Sequence, residues 1–376
     1  MLSIKIFLIF ITLSVGSLSQ ARALFNYQVP TWALGMGGVH MPFPREGDIP
    51  TSNAAFLSHV NEISFELLNL EIKSPGLDDI TEFQELPDAD GAEDLNSFYG
   101  KPIQTGLDGR LSIIAPRIGF SGYTNTNLRS YLSNPLVPEW FINYLSDYGM
   151  TVAFSTVFSD TLSAGIAMKR ITRTGGEVVL DTQQINDYVN GVTDTADILE
   201  MFDDTGIGYG VDVSFLYKSP GDSSSVATLV WKDVGTTSFQ KTSGDQNPPA
   251  IKDNLTLGLG YVIKGTGLDI KTGFEYRHIL TSSEQIGKKL HAGIEFSLPL
   301  VDLRAGMSQG YTTFGAGLDL WVMRLEVAKF IEEYGEYPGQ TPEERLQLSL
   351  TMDFSVDADF SMTSKSGKRR KLKQRR

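Results

Sequence analysis

The sequence predicts an all-β chain, a transmembrane antiparallel β-barrel of about fourteen strands (12–14), with an N-terminal hatch in the lumen and short helical inserts in the outward loops. Three observations carry that expectation. Apolar side chains recur at every second position over many segments, each of roughly the ~9–11 residues a membrane strand needs. The alternate positions mix glycine with both charge signs, which a water-filled interior accepts and a packed core does not. Connections also sort by length, long on one side and short on the other.

The chain opens with Lys5, the apolar run Ile6–Val15, and Ala21-Arg22-Ala23. That layout, over residues 1–23, is a secretory signal peptide; the run falls short of the ~20 apolar residues of a spanning helix. Residues 24–61 are then expected as the hatch, 62–354 as the barrel and 355–376 as a periplasmic basic tail. The chain has no cysteine, which excludes disulfides, a lipid-bearing cysteine and thiol catalysis.

The clearest strands are Ile207–Tyr217, Leu255–Ile263, Leu268–His278, Leu290–Leu298 and Leu346–Phe354. In "LDIKTGFEYRH" (268–278), Leu268, Ile270, Phe274 and Tyr276 fall on one face, and Asp269, Lys271, Glu275 and Arg277 on the other. Noisier alternation marks 62–72, 110–122, 148–158, 162–172, 225–234, 302–308, 312–321 and 323–330. An even strand count is usual, so one further strand is expected between 24 and 109. With the apolar face toward lipid, Asp212, Asp269, Lys271, Glu275, Arg277, Glu295, Arg304 and Asp319 point into the lumen. Lumenal charges of this kind are expected to pair across neighbouring strands.

Two outward connections read as amphipathic helices, Asn127–Tyr148 and Gln183–Phe202. Their apolar residues include Trp140, Phe141, Tyr144, Tyr188, Leu199 and Phe202. These either pack on the barrel rim as a plug or form a groove for a greasy ligand. The stretch Asp78–Asp94 holds eight acids and no Lys or Arg, and reads as a solvated linker.

Charge narrows the function classes. Without the ten positive charges of the signal and of the tail Lys365–Arg376, the net charge falls from −13 to −23, so nucleic acid is no partner for the body. The tail is either solvated or docks on an anionic periplasmic partner. Four dispersed histidines lack metal-ligand spacing, and no catalytic motif occurs, so no enzyme, metal or cofactor is expected.

The stretch "TWALGMGGVHMPFPREGDIPTSNAAFL" (31–57) resembles the start of the FadL/PorV-like outer-membrane barrels. The family opens with G-x-G-G, here Gly35-Met36-Gly37-Gly38, followed by Asn-Pro-Ala-x-Leu, here Asn53-Ala54-Ala55-Phe56-Leu57 with alanine in place of proline. "WKDVG" (231–235), "LHAGIEF" (290–296) and "LRAGMSQGYTTFGAGLDL" (303–320) resemble its strand phrases. The resemblance implies a bacterial outer-membrane barrel in contact with lipid, with Gly35, Gly37, Gly38 and Asn53 as hatch elements. It implies either passage of a small hydrophobic molecule or a secretion-accessory scaffold that holds a protein partner.

Overall fold

The computed structural model describes residues 29–76, 99–133, 136–190, 192 and 195–357. The signal peptide, the acidic stretch 78–94 and the tail from residue 358 lie outside them. Among the described residues the strands are β1 (Glu62–Pro75), β2 (Pro102–Ala115), β3 (Ile118–Ser133), β4 (Glu139–Ser159) and β5 (Leu162–Leu180). Next come β6 (Thr205–Lys218), β7 (Ser224–Lys232), β8 (Phe239–Ser243), β9 (Asn254–Lys264) and β10 (Asp269–Tyr276). The series ends with β11 (Leu290–Ser297), β12 (Val301–Ser308), β13 (Tyr311–Leu320), β14 (Met323–Glu333) and β15 (Pro342–Asp357). All pairings are antiparallel, β5 joins β6, and β1 pairs with both β2 and β15, so the sheet closes on itself. Fourteen strands make the wall, and the short β8 is laid beside the upper part of β6.

The sheet is inside out relative to a soluble protein. On β6, Gly206, Gly208, Gly210, Asp212 and Ser214 are buried, while Tyr209 (72%), Phe215 and Tyr217 are exposed. Glu275, Glu295 and Gln347 rank among the most fully buried large side chains, whereas Leu107, Ile166, Leu259, Leu303 and Leu325 are exposed. Water would not tolerate that outer surface, since covering one such side chain is worth ~1.5–3 kcal/mol. Hydrocarbon tolerates it, because the backbone ladder runs from strand to strand round the whole wall and closes on itself. No described helix is long and apolar enough to cross a membrane. The expected transmembrane β-barrel is what the chain forms.

The loop asymmetry follows the same axis. With β1 rising from residue 62, the chain turns tightly at 116–117, 160–161 and 321–322 on one side. On the other it runs through 181–204, 233–253, 277–289 and 334–341, with 309–310 and the β3–β4 connection the short exceptions.

Two expectations need correction. The candidate strand 110–122 is two strands, β2 and β3, turned at Pro116-Arg117, with Arg117 at φ 69°. That turn contains no glycine, which is why alternation seemed to pass through it, and it supplies the fourteenth strand. Asn127–Tyr148 is no helix but the tip of the β3–β4 hairpin, where Leu128 faces Tyr144 and Leu132 faces Trp140. Residues four apart share a face in a helix and in a strand alike, so spacing could not separate the two. The second expected insert is helical, at Thr182–Val189 and Thr195–Glu200, the first carrying an Asp181–Gln184 capping box.

The inverted wall makes a direct prediction. Leu259→Lys, at the middle of β9 on the outer face, should cost ~2–4 kcal/mol in unfolding from lipid bilayers, and Leu259→Phe close to nothing. A compact mature chain that stays dissolved without detergent would show the wall assignment to be wrong.

Candidate functional site

Residues 29–60 pack inside the barrel, and the wall is shaped to receive them. Trp32, Ala33, Met36, Val39 and Phe43 form one buried cluster, while Ile49, Ala54, Leu57 and Val60 form another with Ile114, Ala153 and Ala167 of the wall. Backbone meets backbone where both sides lack a side chain. A Cβ on Gly35 would stand 2.6 Å from the Gly315 Cα, and one on Gly306 2.6 Å from the Met36 carbonyl carbon. Gly293 likewise lies under Met36, Gly273 under Val39 and Phe43, and Gly165 under Ala54 and Ala55. The lumenal glycines are thus the footprint of this segment. Gly37 and Gly38 have φ of 68° and 86°, the left-handed conformation that turns the chain there.

Charged side chains fix the segment in register. The backbone N–H groups of His40 and Met41 both donate to Glu275 Oε1 at 2.6 Å. Arg277 Nε donates to Glu275 Oε2 at 2.7 Å, and its Nη2 to the Gly38 carbonyl. Gly37 N–H donates to Thr313 Oγ1 at 2.9 Å, and the Asn53 amide donates to the Met41 carbonyl at 3.0 Å. Asp48 accepts from Trp32 Nε1 (2.9 Å) and pairs with Arg110 (2.6 Å), and Arg45 pairs with Glu326 (2.7 Å). Charge-assisted bonds of this type contribute ~1.5–3 kcal/mol each. Removing one partner would strand the other in a buried site.

The lumenal charges divide between two tasks. Lys271 pairs with Glu295 (2.7 Å), which also accepts from Arg304 Nε (2.5 Å), linking β10, β11 and β12 as expected. Asp319 faces Arg324 across β13–β14 at 3.5 Å, Asp212 pairs with Lys169 at 2.8 Å, and Asp269 accepts from Gly265 N–H at 3.2 Å in its own turn. Glu275 and Arg277 depart from the expectation. They pair with each other along one strand and hold the N-terminal segment. An i, i+2 spacing gives no sign of that, because it depends on what fills the lumen.

Above this segment lies a cavity of about 240 Å³ lined by nine Lys or Arg and six Asp or Glu. The loop aromatics do not reach it. Asn143, Leu145 and Asp147 line the cavity, so the alternate residues Trp140, Ile142 and Tyr144 lie on the outer face of β4. Trp140 meets Tyr188 edge-on at 5.5 Å and Tyr144 meets Phe202 at 5.8 Å, in a cluster with Leu132, Leu180 and Ile198. The helical insert therefore covers the outside of the extended hairpin rather than plugging the lumen. Phe141 packs near Tyr131 (6.2 Å), and Leu199 is exposed.

The wall is interrupted at one place that the alternation did not signal. One edge of β6 pairs with β7 over Val213–Lys218 and with β8 over Thr205–Gly208, leaving Tyr209–Asp212 between them. There the Val234 N–H donates to the Val211 carbonyl at 2.9 Å, and the Asp233 N–H to the Asp212 carboxylate at 2.7 Å. The bend carries Asp233, Gly235 and Thr236 at φ of 51°, 80° and 70°. From inside, Lys169 bridges Asp212 and Asp233 (2.8 and 2.9 Å), and Lys232 Nζ donates to the Thr51 carbonyl. From outside, Tyr209, Val211, Trp231 and Val234 are exposed. Positive φ at the non-glycine residues Asp233 and Thr236 was the available signal, but only the backbone shows it.

No protein-family model matches the chain, and no curated protein matches it. Among solved structures it is similar to a deletion mutant of the TodX monoaromatic hydrocarbon channel, at 13% identity and TM-score 0.51, over 87% of this chain and 98% of that one. It is also similar to the Pseudomonas putida toluene transporter TodX (13% identity, 89% and 100% covered, TM-score 0.47). A third is the Ralstonia pickettii toluene transporter TbuX (12%, 86% and 97%, TM-score 0.48). The closed wall and the first of these likenesses give the class: the chain has the fold of that channel, a closed antiparallel fourteen-strand β-barrel. Among the described residues no group of three or more His, Asp or Glu could hold a metal ion.

Two measurements test how the N-terminal segment is held. Gly306→Leu should expel it and raise single-channel conductance in planar bilayers at least several-fold, because Met36 and Gly37 occupy the space a side chain would need. His40 is wholly buried, and burial first of all pushes its pKa down to about 4. The unfolded segment binds more protons than the seated one between about pH 6.5 and 4, so seating weakens as pH falls through that window. The full effect is about 3 kcal/mol by the conversion of one unit to ~1.4 kcal/mol. Protease accessibility of the segment should rise on acidification to pH 4, and His40→Gln should flatten that dependence.

Proposed function

We propose that this barrel binds small hydrophobic compounds and passes them across the outer membrane. The observation that carries the reading is the interrupted ladder at Tyr209–Asp212. A lumen closed by residues 29–60 and lined with fifteen charged side chains offers an apolar solute no continuous axial path. The interrupted wall is where the fewest backbone bonds separate that lumen from lipid, and apolar side chains flank it outside. A solute that leaves sideways enters hydrocarbon directly and need not cross the buried N-terminal segment. In this reading that segment acts as a hatch, with Thr51 in contact with Lys232 at the interruption. The similarity of fold to a monoaromatic hydrocarbon channel supports the same class of cargo.

A second reading, a non-transporting scaffold or secretion-accessory barrel, draws on the tip of the β3–β4 hairpin. Leu136 (88%) and Val137 (64%) are exposed there, well clear of the lipid-facing belt. The basic tail offers that reading an anionic periplasmic partner on sequence grounds alone. Crosslinking in membranes, with and without residues 358–376, separates the scaffold from the channel.

The channel reading is tested by uptake of toluene into proteoliposomes. Because the chain lacks cysteine, the paired substitution Val211→Cys and Val234→Cys gives a clean lock across the interruption. Oxidation should cut uptake at least tenfold, and a reductant should restore it. Unchanged uptake in the locked barrel would place the route elsewhere, and no uptake by the unmodified barrel would remove the channel reading.

A further inference from the structure

We infer that the outward half of the lumen holds a capture site for a single-ring aromatic carboxylate, built on Arg129, Phe330, Tyr334 and Arg345. This rests on the channel reading and adds single-ring aromatic acids to the hydrophobic compounds that the lumen takes up.

The four side chains come from separate strands that the closed wall brings together. Arg129 is on the lumenal row of β3, opposite Gln104 of β2. Phe330 and Arg345 face each other across β14 and β15, and Tyr334 follows the end of β14. The Arg129 guanidinium stacks over the Tyr334 ring at 3.6 Å, and Arg345 lies over the Phe330 ring at 5.4 Å. Tyr334 is held by its hydroxyl, which donates to Gln104 Oε1 at 2.7 Å. Phe330, Tyr334 and Arg345 are all at least nine-tenths buried. Arg129, Phe330 and Arg345 line the cavity above the N-terminal segment.

Three features set the ligand class. The Arg129 guanidinium lies at stacking distance over the Tyr334 ring, and a further ring extends such a pair at ~0.5–1.5 kcal/mol per contact. The Arg345 Nε is buried without a hydrogen-bond partner, although its Nη1 donates to Glu332. A guanidinium held by one edge has the other edge to offer, and a carboxylate is the group that fits that fork. The cavity's volume of about 240 Å³ lies below the ~300–1,000 Å³ of drug-sized sites and suits one ring.

Equilibrium dialysis of the intact barrel in neutral detergent at low salt tests this with three ligands of one shape: benzoate, benzyl alcohol and benzylamine. Benzoate should bind at least tenfold more tightly than benzyl alcohol, with benzylamine weakest, and added salt should narrow the gap. Arg345→Gln should remove the preference for benzoate. Arg129→Lys, which keeps the charge and loses the planar stack, should weaken both benzoate and benzyl alcohol by several-fold. Equal binding of benzoate and benzyl alcohol, or a preference that survives Arg345→Gln in a folded barrel, overturns the proposal. Toluene uptake into proteoliposomes, measured in parallel, keeps the two readings apart: uptake without benzoate preference refutes the carboxylate site alone, whereas neither uptake nor binding refutes the channel as well.

Discussion

Closure of the backbone ladder between β1 and β15 is the constraint from which the rest of the molecule follows. Over Glu62–Pro75 the first strand meets the last, with a bulge between Glu66 and Leu68, and from there the wall has no free edge. Only then can leucines face outward and carboxylates inward, because outside the break at Tyr209–Asp212 the strand N–H groups are taken up by neighbouring strands. A slip of one residue in any strand would exchange the two faces. The same closure creates an enclosed polar volume that has to be filled or left wet, and this chain fills its lower half with its own N-terminus.

The filling is a division of labour among side chains. Glycines on the wall set how near the N-terminal segment comes, and Glu275, Arg277, Arg110 and Glu326 set which residue of it stands where. Each of those carboxylates and guanidiniums would be costly if left alone at such depth. The segment and the wall therefore specify one another. The charges that make the lumen polar are mostly committed to partners.

Much of the wall could be read from the chain because a period of two is written in residue type, and Leu268–His278 is as plain as any strand here. What failed was local. Pro116-Arg117 turns the chain without glycine, and the 128/132/140/144 spacing fits helix and strand equally. The site was less legible for a different reason. Gly273, Gly293 and Gly306 read as lumen-facing, but nothing in a linear pattern says what lies opposite them. Arg129 and Tyr334 are some two hundred residues apart, so their stack exists only after closure. The break at Tyr209–Asp212 was hidden because "IGYGVDVSFLY" alternates without a fault; the irregularity belongs to its neighbour, where Asp233 and Thr236 take up positive φ.

The glycine footprint has a consequence for how the molecule is made. Residues 29–60 come off the ribosome before any of the strands, and contacts such as Met36 against Gly306 leave no clearance for threading a finished cylinder. Segment and wall therefore have to come together as one, the last stave, β15, being set against the first with that piece inside. A wider bore has to come from yielding at the wall, since the segment and its glycine contacts fill the axis.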